Sequence, residues 1–216
     1  MVFILNTLEW SLTNEINHGK LTSRLSNLET KVFGETKSGS LIDRLKKLAN
    51  ISLPQGEIPA KEVSIPADTL VKIQVLEKVS SKESSEGQKV PFKVVNDVSI
   101  DNKLVVPAGS KGTMEITKIE KSGKLGQNAE IELDFYDVDT IDGHEISLKL
   151  DKKSREINRS EKLAIGASLL ATALLGPVGL IAGYFVEGEE KTIEAGTEFY
   201  CQTLSRTSIY GLELEK

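Results

Sequence analysis

Ile193-Glu194-Ala195-Gly196-Thr197-Glu198-Phe199-Tyr200-Cys201-Gln202-Thr203-Leu204 is the stretch on which the fold turns. Its first five residues echo Ile65-Pro66-Ala67-Asp68-Thr69 and Val106-Pro107-Ala108-Gly109-Ser110. In the first two copies proline fixes φ, the small residues permit a tight bend, and an alternating apolar run follows. Those runs are Val71, Ile73 and Val75 after the first copy and Met114 and Ile116 after the second. The third copy has lost its proline and keeps Ala-Gly-Thr. Residues 198–204 are therefore expected to form another strand of the same sheet.

Working outward, period-two alternation recurs at Val90, Phe92 and Val94, at Ile131, Leu133 and Phe135, and at Ile146, Leu148 and Leu150. Such alternation marks half-buried strands. Turn chemistry separates them at Ser84 to Gly87, Asp101-Asn102, Ser122 to Gly126 and Asp142-Gly143, the last a strong hairpin signal. Short strands at this spacing predict an antiparallel barrel or sandwich over residues 62–216.

Immediately before the third turn copy lies a stretch without charge, residues 163–185. Its 23 residues would suffice for one membrane-spanning helix of ~20. Gly176-Pro177 at its centre breaks a helix, and strands of one sheet on both sides require the chain to return. The expectation is an apolar helical hairpin inserted at 161–188, capped at its start by Ser160. Its contact residues would be Leu163, Ile165, Leu169, Leu170, Leu174, Leu175, Val178, Leu180, Ile181 and Phe185. Three roles stay open: a core element on the sheet or the amino-terminal helices, partial insertion into a membrane, or an oligomer interface. The preceding Lys152, Lys153, Arg155, Arg159 and Lys162 read either as a head-group contact or as a solvated connecting loop.

At the other end of the chain, Gly19-Lys20-Leu21-Thr22-Ser23-Arg24-Leu25 recurs 20 residues later as Gly39-Ser40-Leu41-Ile42-Asp43-Arg44-Leu45. Leu8-Glu9 matches Leu28-Glu29, and Asn14 matches Gly34, both residue types suited to a left-handed helix end. Each unit reads as a helix with one narrow apolar stripe: Leu21, Leu25 and Leu28, then Leu41, Leu45 and Leu48. A narrow stripe needs a neighbour. It suits either a helical hairpin packed on the rest of the chain or an interaction module over residues 1–52. The two prolines and glycine of 53–61 read as a linker.

Composition narrows the chemistry. The net charge of −5 disfavours a nucleic-acid surface. One cysteine and two histidines exclude a disulfide framework and leave too few ligands for a closed zinc site. His18, His144 and Cys201 each stand without a catalytic partner in reach along the sequence. Asp134, Asp137, Asp139 and Asp142 lack the ligand rhythm of a calcium loop. No catalytic, metal or cofactor site is expected, and the chain reads as an α+β protein that is not an enzyme.

The turns and strand ends at Ile65 to Thr69, Ser80-Ser81, Gly87, Asp97-Val98, Val105 to Ser110, Asp142-Gly143 and Ile146 to Leu148 resemble a β-barrel-like module of bacterial envelope proteins. The module is distantly similar to the barrel of the outer-membrane core-complex protein of type IV secretion systems. That family inserts an apolar helical hairpin between two barrel strands. The amino-terminal units resemble repeats of exported proteins of diderm Firmicutes. The resemblance implies a non-catalytic scaffold or tether of the periplasm or outer membrane, with envelope proteins or further copies as partners and membrane contact through the hairpin. Residues 1–5 are too short for a signal core, so the envelope reading expects an export signal removed ahead of Met1. A cytoplasmic protein is the alternative compartment. A soluble binding module whose barrel holds a peptide, glycan or small ligand is the alternative function.

Overall fold

The structure, a computed structural model, describes residues 1–123, 127–165 and 190–214. Its first three elements are helices α1 (Val2–Thr13), α2 (Leu21–Phe33) and α3 (Leu41–Ser52). Asn14 and Gly34, matched in the repeat, both end their helices in the left-handed region, at φ 56° and 77°. Ser40 begins α3 by accepting from the Asp43 N–H, whereas Lys20 at the equivalent place in α2 provides no such cap.

All three apolar stripes meet: Leu5, Leu8, Leu25, Leu28, Leu45 and Leu48 are buried in one cluster, with Leu21 and Leu41 half-buried at its margin. Each fully buried leucine contributes roughly 2 kcal/mol of transfer free energy. The module is thus a three-helix bundle rather than a hairpin, because α1 supplies the third stripe.

The repeat also carries a polar device. Arg24 donates through Nε and Nη2 to both carboxylate oxygens of Glu9, at 3.1 and 2.7 Å. Arg44 does the same to Glu29, at 3.0 and 2.6 Å. The same glutamates accept the loop N–H groups of Asn17 and Lys37. Each clamp therefore fixes one helix, the following loop and the next helix. Ile4 stands 20 residues before Arg24 and Ala49 stands 20 residues after Glu29, so the device joins α1 to α2 and α2 to α3 and goes no further.

Within the span read as a linker, 53–61, a 3-10 turn occupies Pro54–Gly56, and strand β1 (Ala60–Ile65) begins after three further residues. β1 belongs to a four-stranded antiparallel sheet with β5 (Val98–Ile100), β6 (Lys103–Val106) and β13 (Thr207–Glu213), ordered β1-β13-β6-β5. A seven-stranded sheet holds β2 (Leu70–Val75), β4 (Lys89–Val94), β7 (Lys111–Glu120), β8 (Glu130–Asp139), β9 (Glu145–Ile146), β10 (Leu148–Lys149) and β12 (Glu198–Thr203). Its order is β10-β12-β2-β4-β7-β8-β9. Its two outermost strands flank Ser147, so the sheet nearly closes on itself as a barrel. β3 (Val79–Ser80) and β11 (Thr192–Ile193) form a separate pair.

Strand β12 lies beside β2, with Cys201 opposite Val71, so the strand expected at 198–204 is present in the same sheet as β2 and β7. All three turn copies share one geometry. Asp68, Gly109 and Gly196 adopt φ of 62°, 85° and 88°. Their N–H groups donate to the carbonyls of Thr203, Val94 and Val75, and those residues donate back to Thr69, Ser110 and Thr197. The motif is a corner that brings the chain into the large sheet and ties off a neighbouring strand.

A corrected element is α4 (Lys152–Ile165). The helix starts at Asp151, which accepts the Lys152 N–H, and not at Ser160, whose hydroxyl donates back to the Glu156 carbonyl within the helix. Lys152, Lys153, Arg155, Arg159 and Lys162 therefore ride on a helix, not on a connecting loop. Leu163 and Ile165 fall in its last turn. The other expected hairpin contacts, from Leu169 to Phe185, lie outside the described residues. Gly126 and the tip of its turn do so as well.

Candidate interaction surfaces

Two places in the described structure bring separated residues together in a way that could serve binding. The first is the joint between the helical bundle and the barrel. The Asn6 amide donates to the Ile141 carbonyl at 2.9 Å, and the Trp10 indole donates to Asp97 at 2.9 Å. His18 Nε2 lies 2.8 Å from the Gly109 carbonyl, which assigns the ring proton to that nitrogen. Beneath these contacts Leu104, Ile141 and Leu212 are buried against Phe3 and Trp10. The four-stranded sheet thus has two covered faces. Val63, Val105 and Ile209 turn into the barrel core, while Leu104 and Leu212 turn toward α1.

The second place is the seam of the barrel. Strand β8 pairs with β7 along its length, but its other side meets β9 only at Val138 and Asp139. Past Ser147, whose hydroxyl donates to Asp137 of β8, the chain pairs with β12 while still running beside β8. A groove of about 560 Å³ opens there, with Leu133, Phe135, Leu148 and Leu150 among its lining residues. Helix α4 closes the β12 side. Asn158 both donates to the Tyr200 carbonyl and accepts from the Tyr200 N–H, taking the place of a paired strand. The Ser154 N–H donates to the Gln202 side-chain Oε1 on the same strand.

The groove has charged walls. Glu130, Glu132 and Asp134 project from β8, and Lys149, Arg155 and Lys191 stand on the opposite side. Lys149 is committed to Asp68 and Asp151, at 2.9 and 3.4 Å. Those contacts hold Asp68 below the ordinary carboxylate range, the Lys149 hydrogen bond being the strongest cause. Lys191 is buried, which pushes its ammonium below the ordinary lysine range.

The titratable residues singled out from sequence have structural roles. Asp142 accepts from the Thr140 hydroxyl and from the N–H groups of His144 and Tyr210. Burial raises its pKa, and these hydrogen bonds outweigh that and hold it low. His144 is an exposed turn residue beside Asp142. Cys201 is fully buried, and burial pushes its thiol up, which disfavours the reactive thiolate. Among the described residues no group of three or more potential metal ligands occurs, and no helix is long and apolar enough to cross a membrane.

No family model matches the chain, and no curated protein matches it. Among solved structures it is similar to ComB10 of the Com type IV secretion system of Helicobacter pylori, at 17% identity and a TM-score of 0.37. The match covers 68% of this chain and 90% of that one. The likeness is distant and lies in the secretion-system class that the turn motifs resemble. It carries no functional argument by itself.

The sequence reading missed the residues of the joint. Asn6, Trp10, Asp97 and His18 are separated by up to 135 positions from their partners, and no local pattern announces them. The leucines expected at a helical interface, Leu21 to Leu48, are drawn together inside the chain.

Proposed function

We propose that this protein is a non-catalytic scaffold of the bacterial cell envelope. In this reading the barrel is a rigid frame, the helical bundle is fixed to it, and the uncharged stretch 163–185 is the tether to membrane or partner. The observation that supports a frame is the barrel interior. Val71, Ile73, Val75, Phe92, Met114 and Ile116 are all fully buried in one continuous core. Side chains fill the volume that a ligand would need, as in small barrels generally. This counts against the alternative of a ligand held inside the barrel and leaves outer surfaces for binding. Both flanks of the uncharged stretch are anchored to the frame. α4 is held on β12 by Asn158, and Lys191 exchanges hydrogen bonds with Ser81. Partners are other envelope proteins or further copies of the chain.

Replacing residues 163–185 with a glycine-serine linker of equal length tests the tether. Wild-type protein is expected to float with liposomes of mixed zwitterionic and anionic lipid or to self-associate in sedimentation. The variant is expected to do neither while keeping its circular dichroism. Equal behaviour of the two proteins would sink the proposal.

A further inference from the structure

The groove at the seam contains one charge that nothing neutralises by contact. Lys191 lines it and is over nine-tenths buried. Its backbone is fixed, since its N–H donates to the Ser81 hydroxyl and its carbonyl accepts from the Ser81 N–H. Its ammonium makes no hydrogen bond or ion pair among the described residues, and Glu130 acts on it only through space. The enclosed side-chain polar atoms that lack a hydrogen bond are Thr7 Oγ1 and Ser110 Oγ. The Lys191 ammonium is not among them, so it opens into the groove. A buried charge without a partner is costly, and burial accordingly holds this ammonium below the ordinary lysine range.

The surroundings of that ammonium define what it could take. The other two cations of the groove are engaged: Lys149 is held by Asp68 and Asp151, and Arg155 is not free. One unanswered positive charge calls for one negative charge. A doubly charged group such as phosphate would also meet the carboxylates of Glu130, Glu132 and Asp134, which line the same groove. Apolar side chains lie beside the ammonium's end of the site. Phe135 of β8 and Leu148 of β10 are buried, and Leu133 is half-buried. The groove's volume of about 560 Å³ falls in the ~300–1,000 Å³ usual for small-molecule sites.

We propose that the seam groove binds a small monocarboxylate with an apolar body. Its carboxylate would accept from the Lys191 ammonium, and its body would rest on Leu133, Phe135 and Leu148. A charge-assisted hydrogen bond in a sheltered place fixes the ligand's orientation, and removal of apolar surface from water adds affinity. The filled interior of the barrel is left as it is, because the groove lies at the seam. The site lies outside residues 163–185, so it stands or falls separately from the tether.

The test uses the full chain and titration calorimetry with phenylbutyrate at neutral pH. Saturable uptake of a single equivalent is expected. Phenylbutyramide keeps the body without the charge, and acetate keeps the charge without the body. Each should bind at least about tenfold more weakly. Lys191→Met should lose at least about tenfold in affinity for phenylbutyrate, and Lys191→Arg should recover part of it. Without ligand, Lys191→Met should raise the urea midpoint, since it removes a buried charge that has no partner. A lower midpoint would assign the lysine to the fold and overturn the proposal. So would no uptake of phenylbutyrate, or equal uptake by the Lys191→Met protein. Loss of uptake when only residues 163–185 are replaced, with circular dichroism unchanged, would overturn it too, because that stretch would then hold the ligand.

Discussion

Glu29 has no solvent exposure, and Arg44 is its counter-charge at 2.6 Å. Removing one member of a buried pair leaves the other unpaired, a loss of ~3–5 kcal/mol. Arg44→Met should therefore lower the urea midpoint sharply, while exposed Lys46→Met should leave it unchanged. The same pair sets a pH response. The Arg44 hydrogen bond is the main cause that holds Glu29 below the ordinary value of 4.5. A carboxylate with a depressed folded pKa contributes stability above its unfolded pKa and loses it as pH falls through the folded value. Glu29→Gln keeps an acceptor and cannot titrate. Its unfolding free energy should vary less steeply between about pH 5 and pH 3 than that of the parent. Parallel slopes would contradict the assignment.

The three corner turns permit a comparison at the level of the element. Gly109 and Gly196 have φ near +85°, where an L side chain is strained by ~1–2 kcal/mol. A Cβ at Gly196 would meet nothing, whereas one at Gly109 would lie 3.1 Å from the Ile16 carbonyl of the helical loop. Gly196→Ala should cost only the backbone strain. Gly109→Ala should cost more, and the excess should vanish in a variant lacking residues 1–52 if that barrel folds. Chemical denaturation of the four proteins reads the difference. These turns were legible because proline, alanine and glycine impose their geometry locally. Helix α4 was legible only in part. Its buried face is polar, Ser154 and Asn158, so apolar periodicity does not mark its first two turns. β6 was missed because Leu104, Val105 and Val106 are all buried between two layers, which erases the alternation that identifies a strand.

For the whole molecule, the joint decides whether bundle and barrel unfold as one. Trp10 is the single tryptophan and sits in that joint. Its environment therefore reports docking, while far-ultraviolet circular dichroism reports all elements. The shared apolar contact of Leu104, Ile141 and Leu212 with Phe3 and Trp10 predicts coincident thermal transitions by the two probes, the signature of one cooperative unit. A tryptophan transition at lower temperature would show the bundle leaving an intact barrel.

By itself the sequence determined what depends on neighbours along the chain. It placed α2 and α3 with their caps, the strands that alternate, the corner turns and the return of the chain to one sheet after residue 185. Those features rest on backbone sterics and on one-sided burial, which leave a local pattern. Only the tertiary structure decided which stripe meets which, that Arg24 and Arg44 close on Glu9 and Glu29, that α1 welds the bundle to the small sheet, and that the chain changes its strand partner from β8 to β12 at Ser147. These rest on contacts between residues far apart in the chain, where a polar pair or a change of strand partner leaves no periodic trace.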